Sequence, residues 1–166
     1  MLPAHADKLD GAMLIVDALF GAGLARNVDG PLADLVETLN EADAVRVAVD
    51  VPSGVDGSSG RIRGTAVAAD HTITFFRAKP GHYLEPGRSL RGALHVVDIG
   101  IADDVLHTVE TKCHLNEPNE FAGVIPVPGV AAHKYSRGSA VMVSGDAWNT
   151  GAARLAAMSA LRVGAG

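Results

Sequence analysis

The sequence predicts an α/β fold on a parallel sheet, and three observations carry that prediction. The apolar runs Ala12–Val16 and Val45–Val49 lack polar alternation, and each stops at an aspartate, Asp17 and Asp50. Unbroken runs of this length read as strands covered on both faces, the habit of parallel sheets. A helix-spaced segment lies between the two runs, which makes a βαβ unit. Nineteen glycines stand against 4% aromatic residues in 166, a small-residue composition suited to tight strand-to-helix turns around a nucleotide-type site.

The elements follow in order. Ala12–Val16 is the first strand, closed by Asp17 and the turn glycines Gly21 and Gly23. Pro31 opens a helix, a first-turn position where its missing N–H costs nothing. Leu32, Leu35, Val36 and Leu39 form its apolar face, with Asp34, Glu37, Asn40 and Glu41 opposite. Val45–Val49 is the second strand, followed by the glycine-rich Ser53–Gly60. His71–Phe76 and Ala93–Val97 are β-branched and strand-like, with the Pro-Gly loop Lys79-Pro80-Gly81-His82 between them. From Ile101 to Ala132 periodicity fades, and the proline-bearing stretches near 118 and 126–128 read as a linker. Ser139–Val143 is expected to be a short buried strand, and Thr150–Leu161 an alanine-rich helix in need of cover on most sides. The sequence stops at Gly164-Ala165-Gly166, where a turn into a further strand is expected, so it is expected to be a piece of a longer chain.

Composition excludes several classes. Hydrophobic residues at 48% against 20% charged supply enough apolar surface to rule out disorder. The net charge of −5, without a Lys/Arg cluster, argues against a nucleic-acid partner. A single cysteine, Cys113, allows no internal disulfide and fits a reducing compartment. No run reaches transmembrane length and Met1–Asp7 lacks signal-peptide blocks, so a cytoplasmic protein without a membrane partner is expected.

The chemistry-bearing candidates sit at strand ends. In open α/β sheets ligands bind outside the carboxyl ends of strands, where Asp17 and Asp50 fall. Two carboxylates there can hold a cation, act as acid and base or grip hydroxyls; each alone fits equally well as a turn cap. Gly21-Ala22-Gly23 lets backbone N–H groups approach a phosphate, or is a plain turn. Ser53 can offer hard oxygen ligands but lacks a nucleophile elbow. The seven histidines show no zinc spacing and read as loop or surface residues, with His82 beside Lys79 and His133 beside Lys134 the two of note. Trp148 and Asn149 can line a pocket, or Asn149 or Thr150 can cap the last helix.

These residues carry a resemblance. Asp17-Ala18-Leu19-Phe20-Gly21-Ala22-Gly23-Leu24, Gly30-Pro31-Leu32, Ala48–Asp56, Thr74-Phe75, Lys79-Pro80-Gly81-His82 and Val97–Ile101 resemble, in order and spacing, the YjeF N-terminal NAD(P)H-hydrate epimerase family. His133-Lys134, Arg137-Gly138, Ser144-Gly145, Thr150–Ala156 and Arg162–Gly166 resemble the opening of the ribokinase-like, ADP-dependent NAD(P)H-hydrate dehydratases. The order is similar to that of two-domain hydrate-repair enzymes. The resemblance implies a doubly wound, Rossmann-like parallel sheet over residues 1–112, incomplete at its start, then a linker at 113–132. At 133–166 it implies the first strand and helix of a ribokinase-like domain.

It also implies a site. Potassium ligands map to Asp17 and Ser53. The substrate loop maps to Gly21, Ala22, Gly23, Leu24, Ala25, Arg26 and Asn27, with a further substrate contact at Asp50 and, in the second domain, one at Ala152. The substrate is NADH or NADPH hydrate, with ADP and magnesium serving the dehydratase. Asp50 is the candidate to move the proton when a hydroxyl leaves and returns at one ring carbon. Two departures stand out. The family's Asn-Asn-Gly-Gly-Asp-Gly segment upstream of the Asp17 motif has no counterpart here, and Ala22 replaces the usual threonine. The residues 1–166 alone are therefore expected to have little activity and, with a bare strand edge, to associate as a homo-oligomer. The rival readings are a ribokinase-like kinase fragment and a non-catalytic module resembling apolipoprotein-binding proteins.

Overall fold

The computed structural model describes residues 9, 11–109 and 113–165; His5, the boundary residue 112 and Gly166 lie outside them. The chain divides into two compact units, Met1–His114 and Leu115–Gly166.

In the first unit, β1 (Leu14–Asp17), β2 (Val45–Val49), β3 (His71–Phe75) and β4 (Ala93–Val97) form one sheet, parallel throughout, in the order β1-β2-β3-β4. Asp17 pairs with Ala48 and Val49 with Ile73. Asp17 and Asp50, the residue after β2, therefore reach the same carboxyl edge of neighbouring strands. Helix α1 (Pro31–Glu41) makes the first crossover and buries Val36 and Leu39 against Ile15, Val28 and Val67. Burying each such side chain contributes about 1.5–3 kcal/mol. Arg46 of β2 reaches the end of α1, where its Nη1 donates to the carbonyls of Leu39, Asn40 and Ala42. A cation at the negative end of a helix is favourable.

Asn40 departs from the expected polar outer face. Its Nδ2 donates to the Ala66 carbonyl at 2.9 Å, and its Oδ1 accepts the Ala68 N–H at 2.8 Å. One amide thus serves a passing strap as a strand neighbour would, and pins residues 66–68 over α1.

The expectation of cover on both faces is corrected. Ala48, Thr72 and Thr74 are buried on the face that carries α1, whereas Leu14 and Val16 on the other face are 58% and 59% exposed. Strands laid down in sequence order, with crossovers of one hand, put each connection on the same side. The β2–β3 connection contains no helix. It is an irregular loop tied by the bridges Val28–Gly64 and Val55–Ile62. A 3₁₀ turn (Pro80–His82) and the short α2 (Gly87–Leu90) connect β3 to β4, and α3 (Val105–Val109) follows the sheet.

The second unit has the short α4 (Pro118–Phe121) and the longer α5 (Gly151–Val163), which ends at Gly164 with φ of 95°. The expected strand at Ser139–Val143 is not formed. That segment is irregular, with Val141 and Val143 about nine-tenths exposed (87% and 91%). A strand needs a neighbour to take its backbone hydrogen bonds, and the described residues of this unit provide none. No residue of α5 is buried. Among the described residues, no helix is long and apolar enough to cross a membrane.

Candidate active site

Two turns meet at the carboxyl edge of the sheet. At the end of β1, Asp17 is 2% exposed. Its Oδ2 accepts the Ser53 N–H at 2.7 Å, and its Oδ1 accepts the Ser53 hydroxyl at 2.6 Å and, more distantly, the Leu19 N–H. The Ser53 Oγ accepts the Phe20 N–H at 2.9 Å in turn. The carboxylate therefore ties the turn after β1 to the turn after β2. All of these donors are neutral, and among the described residues no cationic side chain pairs with Asp17. A buried carboxylate without a countercharge is costly, and carboxylate and hydroxyl oxygens such as those of Asp17 and Ser53 are hard ligands of the kind cations take.

At the end of β2, Asp50 takes the left-handed backbone conformation, φ 71°, which non-glycine residues rarely adopt and which aspartate tolerates better than most. Such a conformation persists only where its surroundings over-determine it, and here they do. The Asp50 N–H donates to the Ile73 carbonyl at 2.7 Å, and its own carbonyl meets His82 Nε2 at 2.8 Å. Its Oδ1 accepts Thr74 Oγ1 at 3.0 Å and Lys79 Nζ at 2.5 Å, and its Oδ2 accepts the Ala22 N–H at 3.2 Å. Burial pushes the Asp50 carboxyl upward, but the hydrogen bonds from Lys79 and Ala22, the Lys79 charge and the Thr74 hydroxyl together hold it below the ordinary carboxylate value.

His82 corrects the reading of a loop or surface histidine, because it is fully buried. The Lys79 N–H donates to its Nδ1 at 3.0 Å, so Nε2 carries the hydrogen and donates to Asp50. Burial first, with the Lys79 and Arg91 charges, lowers its pKa, and the ring stays neutral. His133 instead sits exposed at the start of a 3₁₀ turn in the other unit, exchanging hydrogen bonds with Ser136.

The loop between the two aspartates forms a cleft of about 490 Å³ lined by Leu19–Gly21 and Gly23–Arg26. Ala22 faces away from it. A Cβ built on Gly57 would stand 2.8 Å from the Ala22 Cβ, so the two backbones are in close contact. Asn27 is exposed outside the lining, and Asp50 reaches the loop from behind, through the Ala22 N–H. Ala152 is exposed on the first turn of α5 in the second unit. Trp148 there is almost wholly exposed and lines no described pocket. Thr150 makes no side-chain cap, while Asn149 bonds Asp146. Sequence reasoning did not place Thr74 or Lys79 in the site. Lys79 and His82 flanking a Pro-Gly pair, and the Thr74-Phe75 motif at the end of β3, were the usable signals.

Residues 2–81 match the family described as YjeF-related protein N-terminus. The whole chain is 37% identical over 166 residues to the bifunctional NAD(P)H-hydrate repair enzyme Nnr of Coxiella burnetii, covering 34% of that protein. It is 37% identical over 165 residues to the enzyme of the same name from Escherichia coli, covering 98% of this chain and 32% of that one. An NAD(P)H-hydrate epimerase of Levilactobacillus brevis is 46% identical over 102 residues, 60% of this chain and 47% of that protein. The chain thus spans about a third of the length of the bifunctional relatives it matches.

Proposed function

We propose that the YjeF-related unit interconverts the two epimers of hydrated NADH or NADPH, a repair reaction, within a bifunctional protein whose second domain removes the water at the expense of ADP. The names of the relatives support this reading. The observation that carries it is the Asp50 carboxylate, fixed at the carboxyl edge of a parallel sheet and bonded to the backbone of a glycine-bearing loop. The reading includes a Rossmann-like parallel sheet over residues 1–112, a linker at 113–132 and a ribokinase-like start at 133–166.

Hydration of an enamine puts the hydroxyl on the carbon next to nitrogen. The ring nitrogen's lone pair expels that hydroxyl, and water returning to the opposite face gives the other epimer. Asp50, ionised, takes a proton from the incoming water and passes it to the departed hydroxide, which leaves as water and restores the carboxylate; a positioned acid–base group of this kind contributes about 10²–10⁴-fold. Leu19 to Arg26 hold the dinucleotide, with the exposed Arg26 available to a phosphate. Asp17 and Ser53 would hold a potassium ion. The uncompensated, buried Asp17 carboxylate and its hydroxyl neighbour fit such an ion. The ion would supply positive charge beside the substrate's oxygens. The described residues contain no cluster of His, Cys, Asp or Glu fitting a magnesium site for ADP, and no dehydration step is derived from them.

The test supplies each hydrate epimer separately to the protein with potassium and follows both by chromatography. Equilibration at enzyme-like rates, lost in Asp50→Asn, supports the reading; epimers that equilibrate no faster than in buffer overturn it.

A further inference from the structure

We propose that Lys79 is a positioning residue that grips Asp50 through Oδ1 and leaves Oδ2 as the oxygen that takes the proton. This rests on the epimerase reading for what the proton does, and on geometry for the rest.

The two carboxylate oxygens are treated differently. Oδ1 accepts both the Lys79 ammonium and the Thr74 hydroxyl, and the ammonium also donates to Thr74 Oγ1 at 2.7 Å. The three groups close a ring of hydrogen bonds. The third ammonium hydrogen faces the Phe75 carbonyl at 3.4 Å. Each hydrogen of Lys79 therefore has a protein acceptor and none is left for a ligand, so Lys79 is an anchor and not a proton donor. Oδ2 has a single N–H partner, Ala22, and retains accepting capacity.

Gly21 gives a second, independent sign. A Cβ on Gly21 would lie 3.3 Å from Asp50 Oδ2, closer than such carbons ordinarily stand. Unlike Gly54 or Gly60, Gly21 has no positive φ to explain its lack of a side chain. The missing side chain leaves Oδ2 uncovered on the side of Gly21. Lys79 is itself fixed. Its N–H is bound by buried His82, and Gly81 two residues on donates to the Gly57 carbonyl. The groups facing Asp50 are Lys79 and Thr74 from β3 and its following loop, the Ala22 N–H, and neutral His82 on its carbonyl. Only Lys79 among them carries charge. Without it, only the Ala22 and Thr74 hydrogen bonds oppose burial, and the carboxyl moves towards the protonated, non-basic form.

The experiment titrates the Asp50 side-chain carbon by NMR in the wild type, Lys79→Met, Lys79→Arg and Gly21→Ala, alongside epimerisation kinetics. The Lys79→Met midpoint is expected to rise above that of the wild type, while Lys79→Arg keeps it low and shows that the site still folds. The kcat of Lys79→Met should fall about tenfold or more, with KM within about twofold. Gly21→Ala should leave the midpoint in place yet lower kcat/KM about tenfold by covering Oδ2. An Asp50 midpoint unmoved in Lys79→Met overturns the role of Lys79, and parental kinetics in Gly21→Ala overturn that of Oδ2. A wild type that titrates as expected but epimerises nothing sinks the functional reading, and the working role of Oδ2 with it, while leaving the Lys79 anchor standing.

Discussion

The turns after β1 and β2 begin alike, with an apolar run, an aspartate and a small-residue bend, yet their electrostatics are opposite. Asp17 is buried among neutral donors and has no cationic partner among the described residues; Asp50 is half-buried and has an ammonium built in. The difference comes from what the topology delivers to each end. Ser53, four residues past β2, swings back to Asp17, whereas Thr74 and Lys79 arrive at Asp50 from β3 and the loop after it. One carboxylate is held by neutral donors, and the other is balanced by Lys79.

The sharpest way to break this contrast is Asp50→Asn. Epimerase activity should fall about 10²–10⁴-fold with the unfolding midpoint nearly unchanged, as hydrate chromatography and urea denaturation would report. Asp17→Ala should act the other way, chiefly on stability. It strands the Ser53 N–H and hydroxyl, at about 1–3 kcal/mol for each buried group left unpaired, and chemical denaturation measures the loss. If potassium raises the melting temperature of the wild type, Asp17→Ala should abolish that increment.

His82 sharpens the contrast through pH. Its pKa is lowered in the folded protein, so the unfolded chain takes up a proton first as pH falls below about 6.5. Stability is therefore expected to be full above that pH and to decline as pH falls towards the folded pKa. Urea midpoints between pH 8 and 5 check the slope, and His82→Gln should flatten it. The smallest effect is expected from Thr74→Val, which removes one of two donors on Oδ1 while Lys79 remains. Activity should drop only severalfold, and a loss as large as that of Asp50→Asn would move Thr74 into the chemistry itself.

Much of this arrangement was legible in the residues. Two strands follow from unbroken apolar runs, two from β-branched composition and α1 from helical spacing, and Asp17 and Asp50 were marked as strand ends. What escaped depends on contacts between distant segments. Thr74 and Lys79 lie 24 and 29 residues from Asp50 and meet it only because β2 and β3 pair in one register. Asn40 looked like an outward polar residue because helical spacing cannot foresee a strap crossing at 66–68. His82 looked like a loop residue because its burial comes from the loops folded over it. Ser139–Val143 had the composition of a strand, but composition supplies no neighbour to pair with.

The left-handed backbone of Asp50 has a consequence for a saturation library at that position. Ranked by abundance, the twenty variants should split in two, with Asp, Asn and Gly retained and β-branched residues depleted most, because their side chains resist a positive φ. Ranked by turnover, Asp should stand alone. Asn would be the one substitution that keeps both the shape of the bend and the side-chain oxygen while erasing the charge, so it reports on chemistry without a folding artefact. Glu, despite its carboxylate, should fail in both rankings.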